Sequence, residues 1–260
     1  MKKILVLALA LLPMSLFAQY GETIRTARPG QAIGAFALGK KVFQMQTGYN
    51  FNEQSFTPYL QEEVKILTTT NTTVLRLGIT EKIELSGLIN WQTRSTSLDD
   101  HRSNIGGISD TQIGGRINLL ENDGWIPTVG LQARLLLKID RGIYRREDLG
   151  HSFVLATGNR ITDRISLATN YGMVWLGDGS SPKNFYVVNV GYSINDKFGT
   201  FVEAYGTRTD DSINFDTGLS YLVNKDFQLD ISGGWQGDNT VADWFVDFGI
   251  SWRFDWRNKS

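Results

Sequence analysis

Nine charged side chains fall at one phase of an alternating sequence: Arg76, Glu84, Arg116, Arg134, Glu203, Asp216, Asp230, Asp247 and Arg253. Residues two apart on a strand share a face, so these nine are expected to project from one side of a sheet. Guanidinium and carboxylate groups around a shared space could orient a polar or ionic solute. They could equally satisfy one another as a structural network, and the residues alone leave both readings open. Other chemistries find thinner support. His151 adjoins Ser152, but strand neighbours point to opposite faces, so adjacency cannot make them a base–nucleophile pair. His101 follows Asp99 and Asp100 in a long loop, where a solvated polar loop explains it better than a metal site does. Gly177-Asp178-Gly179-Ser180-Ser181 precedes a strand rather than a helix, so it is not a phosphate loop. The chain has no cysteine, which removes thiol nucleophiles, zinc-thiolate sites and disulfides. No catalytic residue, cofactor or metal is assigned, and an enzyme is not expected.

The elements that position these charges are read from the alternation itself. Phe43, Met45, Thr47, Tyr49 and Phe51 interleave with Gln44, Gln46, Gly48 and Asn50. Ile83 to Trp91, Ile213 to Tyr221, Phe227 to Trp235 and Trp244 to Phe254 repeat the pattern, and helical periodicity is nearly absent. Short polar turns are expected at 80–82, 121–124, 162–164, 195–197 and 224–226. Between them lie longer connections near 52–64, 93–108, 139–150, 177–183, 208–211 and 236–243. Six long and five short connections in alternation describe twelve antiparallel strands with both chain ends on one rim. Four of the turns share a signature, Ile79-Thr80-Glu81-Lys82-Ile83, Ile161-Thr162-Asp163-Arg164-Ile165, Ile194-Asn195-Asp196-Lys197-Phe198 and Val223-Asn224-Lys225-Asp226-Phe227. This is the hairpin unit of a meander. The expected fold is all-β: a transmembrane up-and-down antiparallel β-barrel over residues 41–255, with short periplasmic turns and longer extracellular loops.

Composition agrees with a barrel in a bilayer. Mean hydropathy is -0.20, too polar for a helical membrane protein, yet the chain holds 7 Trp, 9 Tyr and 14 Phe. Aromatics gather where a barrel crosses the two membrane interfaces. Trp91, Trp175, Tyr186, Trp235 and Trp244 are expected in one girdle, and Trp125, Tyr221 and Trp252 in the other. Charge at a lipid midplane costs about 2–4 kcal/mol, so the nine charges belong in the lumen. A net charge of -1 argues against nucleic acid as a partner. Lys2 and Lys3 before the apolar run Ile4 to Phe17, closed by Ala18, read as a signal peptide over residues 1–18. Residues 19–40 either lie loosely in the periplasm or fold into the lumen as a plug. The expected surroundings are outer-membrane lipid and lipopolysaccharide, reached through the outer-membrane assembly machinery.

Several stretches resemble one bacterial family. They are Arg28-Pro29-Gly30, Gly39 to Tyr49, Leu75-Arg76-Leu77-Gly78 with the turn into Glu84-Leu85, Gly107 to Gly114, and Phe201-Val202-Glu203-Ala204-Tyr205-Gly206. In these the chain is similar to the outer-membrane transporter-like proteins named for a MetA pathway of phenol degradation. The resemblance implies an outer-membrane barrel that moves small molecules, and carries over no catalytic motif. The function expected is a channel or transporter for a small solute through a mixed-charge lumen. The alternative is a closed-lumen structural or surface-binding protein acting through its extracellular loops.

Overall fold

The computed structural model describes residues 23–257 except 59–62, 99–100, 140–141, 143, 209–212 and 237–240. The signal-peptide expectation for residues 1–18 lies outside the described residues. Twelve strands form, β1 (Val42–Phe56), β2 (Val64–Gly78), β3 (Ile83–Leu98), β4 (His101–Leu120), β5 (Thr128–Leu136) and β6 (Gly150–Arg160). They continue as β7 (Ile165–Trp175), β8 (Lys183–Ser193), β9 (Phe198–Thr207), β10 (Asn214–Asn224), β11 (Phe227–Gln236) and β12 (Val241–Asp255). Each pairs antiparallel with its sequence neighbours, and β1 pairs with β12 to close the barrel. We call the rim where β1 starts and β12 ends proximal, and the opposite rim distal.

Closure follows from the sequence period. Odd positions of β3, such as Ile83, Leu85, Ile89 and Trp91, stand outward and exposed, while Glu84, between Ile83 and Leu85, is buried. The same phase exposes Leu219 on β10, Ile231 on β11 and Phe248 on β12. In water such a continuous apolar face would be a large liability, whereas single exposed apolar residues are ordinary. Lipid accepts that face, and a closed barrel leaves no backbone donor or acceptor unpaired within it. The proximal turns are fixed by their polar residue. Thr80 Oγ1 accepts from the amides of Lys82 and Ile83 at 3.2 and 3.0 Å, and Thr162 does the same for Arg164 and Ile165. Asn195 Oδ1 accepts from Lys197 and Phe198 at 2.9 Å, and Asn224 Oδ1 from Asp226. The shared turn signature is therefore a side-chain cap on a tight reversal.

Connection lengths depart from the expected strict alternation. The segment expected as a loop over 93–108 is mostly strand: β3 runs to Leu98 and β4 begins at His101, paired through Ser95↔Asn104 and Leu98↔His101. His101 therefore opens a strand instead of lying in a loop, and its neighbours Asp99 and Asp100 lie outside the described residues. Above the membrane a hairpin can carry polar residues on both faces, so hydrophobic alternation ends before the ladder does. On the proximal side the β4–β5 connection is longer than expected, spanning residues 121–127 with the bridge Asp123↔Ile126. Strands β12 and β1 to β4 have 15 to 20 residues, against 9 to 11 for β5 to β11. One side of the barrel thus stands taller at the distal rim.

An outward position at mid-strand should tolerate no charge. Ile231→Arg is expected to lower the free energy of folding into lipid vesicles by about 2–4 kcal/mol, and Ile161→Arg at the proximal turn by about 0–1 kcal/mol. Urea titration of the two variants checks this, and equal losses would contradict the lipid-facing assignment.

Candidate functional site: the lumen and the segment within it

The inward face separates charge by wall. Glu203, Asp216, Asp230, Asp243 and Asp247 stand on β9 to β12, and Arg76, Arg94, Arg116 and Arg134 on β2 to β5. The basic wall also holds two carboxylates, Asp110 on β4, paired with Arg146 at 2.9 Å, and Glu84 at its centre. Glu84, 1% exposed, takes Arg76 Nε and Nη2 at 2.9 and 2.7 Å, with Arg116 Nη1 at 3.9 Å. Ions this deeply buried persist only when paired and hydrogen-bonded. Arg134 Nη1 donates to Gln112 Oε1 at 3.3 Å. At the proximal rim Arg253 pairs with Asp226 of the β10–β11 turn at 2.6 Å.

Residues 23–41 run through this interior. The Ile24 amide donates to the Lys225 carbonyl on the proximal rim, and Gln44 Nε2 donates to the Arg25 carbonyl. The Arg28 guanidinium reaches the acidic wall, with Nη2 bonded to Asp247 and Nε 3.2 Å from Asp230 Oδ1. Small residues make its bed: a Cβ on Gly48 or Gly249 would overlap the guanidinium. Beyond it the backbone is held by side chains in sequence. Glu203 accepts from the Gln31 and Ala32 amides at 2.6 and 3.0 Å, and Asn170 brackets Ile33 through its amide and carbonyl at 2.7 and 2.9 Å. Asn118 donates to the Ala35 carbonyl, Arg116 to the Phe36 carbonyl, and Glu84 accepts from the Leu38 amide. The Arg25 guanidinium lies 5.3 Å from the Phe36 ring centre, a cation–π distance.

Two cavities remain. The proximal one, about 760 Å³, is bounded by Thr23, Arg25 and residues 34–39 of the segment against β6, β7 and the rim arginines. The distal one, about 230 Å³, is lined by polar residues of β1, β2 and β3, by Phe245, and by Gln31 as the segment's contribution. The stretch around Arg28 to Ile33, bonded to Asp247, Glu203 and Asn170, lies between them.

All nine residues read from the alternation stand on the inward face. Arg76, Glu84, Arg116, Glu203, Asp216, Asp230 and Arg253 are buried, and Arg134 and Asp247 are partly so. The structure brings Arg76, Glu84 and Arg116 together, and sets Glu203 opposite Asp216 in register. The aromatics named for girdles stand outward. Trp235 pairs in register with Trp244 and Tyr171 with Tyr186, and Tyr221 stacks on Phe198 at 4.7 Å. Trp91 and Trp252 are exposed on the outer face, and Trp125 projects from the β4–β5 connection with 96% of its surface exposed. Trp175 stacks on His151 at 4.5 Å. That imidazole thus faces away from Ser152, which lies opposite Arg134. Among the described residues no group of three His, Asp or Glu is placed to hold a metal. Alternation missed Arg28, Gln44, Asn118, Asn170, Asp226, Gln228 and Asp243. The polar phase of each strand contains the neutral ones, but nothing local marks which polar residues meet the segment.

A family model described as "Putative MetA-pathway of phenol degradation" matches residues 26–254. No curated protein sequence matches the chain. Among solved structures the fold is similar to an outer membrane channel from Pseudomonas putida F1, with a TM-score of 0.67 at 11% identity, covering 87% of this chain and 100% of that one. It is similar also to the KdgM porin in complex with disordered oligogalacturonate, with a TM-score of 0.54 at 14% identity, covering 80% and 99%. The toluene transporter TbuX of Ralstonia pickettii gives a TM-score of 0.52 at 8% identity, covering 86% and 92%.

Among the described residues, Arg28 supplies the segment's ion pairs with the acidic wall, to Asp230 and Asp247. Arg28→Ala is expected to speed hydrogen exchange at the Gln31 and Ala32 amides at least about tenfold, since losing a charged hydrogen bond costs roughly 1.5–3 kcal/mol. Barrel amides such as Ile231 should be unaffected. Unchanged exchange at 31 and 32 would show that the segment is held without Arg28.

Proposed function

Since the chain belongs to the MetA-pathway of phenol degradation family, matched over residues 26–254, we propose that it is an outer-membrane channel for a small polar solute, closed at rest by its own residues 23–41. The observation that carries this reading is a barrel whose charged strand residues face inward, with a cavity on either side of the Arg28–Ile33 stretch of a segment held only by replaceable contacts. Fold similarity to channels and porins agrees with the reading, and a hydrocarbon path like the one named for TbuX fits this polar lumen poorly.

The chemistry of release supports a gate over a permanent filling. Hydrogen bonds from lumen wall to segment each net only about 0.5–1.5 kcal/mol against water when neutral, and roughly 1.5–3 kcal/mol when one partner is charged. Those bonds can be given up in turn as water enters, whereas the strands facing lipid cannot exchange theirs at all. When the segment leaves, Asp230 and Asp247 lose Arg28 and face Arg76, Arg116 and Arg134 across a wet lumen. Opposed walls of opposite sign would align a dipolar or ionic solute during passage. Low-dielectric walls raise the potential such charges produce.

The closed-lumen alternative draws on one observation, the density of bonds between segment and wall. Deleting residues 24–38 separates the two. In planar bilayers the deletion variant is expected to conduct at least severalfold more than the full chain, with the heat-modifiable gel mobility of a folded barrel retained. No current from either folded protein would rule out the channel and favour a surface protein.

A further inference from the structure

The distal cavity is a built site rather than leftover space. Two pairs of inward residues face each other across the β2–β3 ladder, Thr70 with Gln92 and Thr68 with Arg94. All four line the cavity, and none makes a side-chain hydrogen bond or ion pair among the described residues. Their neighbours on β1 and β12 are already engaged: Gln54 Nε2 donates to Asp243 Oδ2 at 2.7 Å, and Asn52 donates to the same carboxylate. Asp243 is therefore occupied and does not neutralise Arg94. Phe245, 3% exposed, supplies an apolar surface at the base, and Gln31 of the segment forms part of the floor.

We propose that this cavity binds a hydroxylated ring carboxylate of the sugar-acid type before the solute enters the lumen. The inference rests on the channel reading and names its substrate class. Thr hydroxyls and the Gln92 amide each offer donor and acceptor together, the combination that matches vicinal hydroxyls. Arg94 presents a planar fork suited to a carboxylate, and among the described residues it is the sole cation lining the cavity. Phe245 gives one apolar face for the C–H side of a ring. At about 230 Å³ the space lies below the roughly 300–1,000 Å³ of pockets for drug-sized ligands, so it suits a single ring. A hydrocarbon here would bury Thr68, Thr70, Gln92 and Arg94 without partners, and the site would reject it. Because Gln31 belongs to both floor and segment, the bound ring touches the element that closes the lumen.

Titration calorimetry on the full-length detergent-solubilised barrel tests this with D-galacturonate, D-galactose and benzoate as probes. Galacturonate is expected to bind at least about tenfold more tightly than either of the others, the carboxylate and the hydroxyls each contributing a charged or paired hydrogen bond. Arg94→Gln should reduce galacturonate affinity about tenfold and leave galactose unchanged. Thr70→Val with Gln92→Leu should weaken both sugars. Benzoate binding as tightly as galacturonate, no binding of galacturonate, or an Arg94→Gln variant of undiminished affinity would each overturn the proposal. Conductance of the same preparation keeps the two readings apart. Current without galacturonate binding removes this site and leaves the channel, and binding without current removes the channel and leaves the site.

Discussion

Hydrocarbon offers a peptide group no partner, and every other property of this chain is arranged around that fact. The requirement is met by joining the first strand to the last, with β1 and β12 in register from Val42↔Asp255 to Phe56↔Val241. Once the backbone is closed on itself, each strand is free to divide its side chains by face. Leu85, Ile89 and Ile231 then meet lipid, while Glu84, Arg116 and Asp230 meet one another or water. A helix bundle could not have placed so many charges inside a membrane from so polar a sequence.

Closure also creates the lumen's difficulty. A ring of twelve strands is wider than eight-stranded barrels that side chains fill, and narrower than porins with an open channel. Here the space is occupied by polypeptide. The segment enters past Lys225, sets Arg28 between Asp230 and Asp247, and passes Glu203, Asn170, Asn118 and Glu84 before joining β1. Its backbone groups bond to side chains rather than to a ladder, which lets it sit inside the barrel without becoming a strand. Gly48 and Gly249 matter for the same reason: their missing Cβ atoms leave the volume that the guanidinium takes. Charge is thus divided largely between walls, with Arg28 of the segment on the acidic side.

Much of this was legible in the residues. Alternation gives the strands, their facing and their number, because burial on one face imposes period two wherever lipid lies on the other. It failed between Thr93 and Ile108, where β3 and β4 rise beyond the membrane and no hydrophobic face is needed to hold a hairpin. The segment was harder still. Arg28 lies 219 positions from Asp247 and 202 from Asp230, and residues 23–41 carry no period that would announce their partners. Asn170 and Gln228 are ordinary inward polar residues until the segment is placed beside them. Local pattern determines which face a residue takes, but not which distant backbone it receives.

The central claim is that residues 23–41 obstruct the lumen and must leave it for conduction. The native chain lacks cysteine, so a cross-linked pair can be read without ambiguity. Thr26 Oγ1 and Gln228 Nε2 are 3.1 Å apart. Thr26→Cys with Gln228→Cys, joined by a short reducible bis-thiosulfonate linker, would tether the segment at both ends, because Val42 is already fixed in β1. Single-channel recording of the linked barrel should show almost no openings, and reduction should restore them to the frequency of the unmodified chain. Openings equally frequent before and after reduction, with the cross-link verified by mass, would contradict the account.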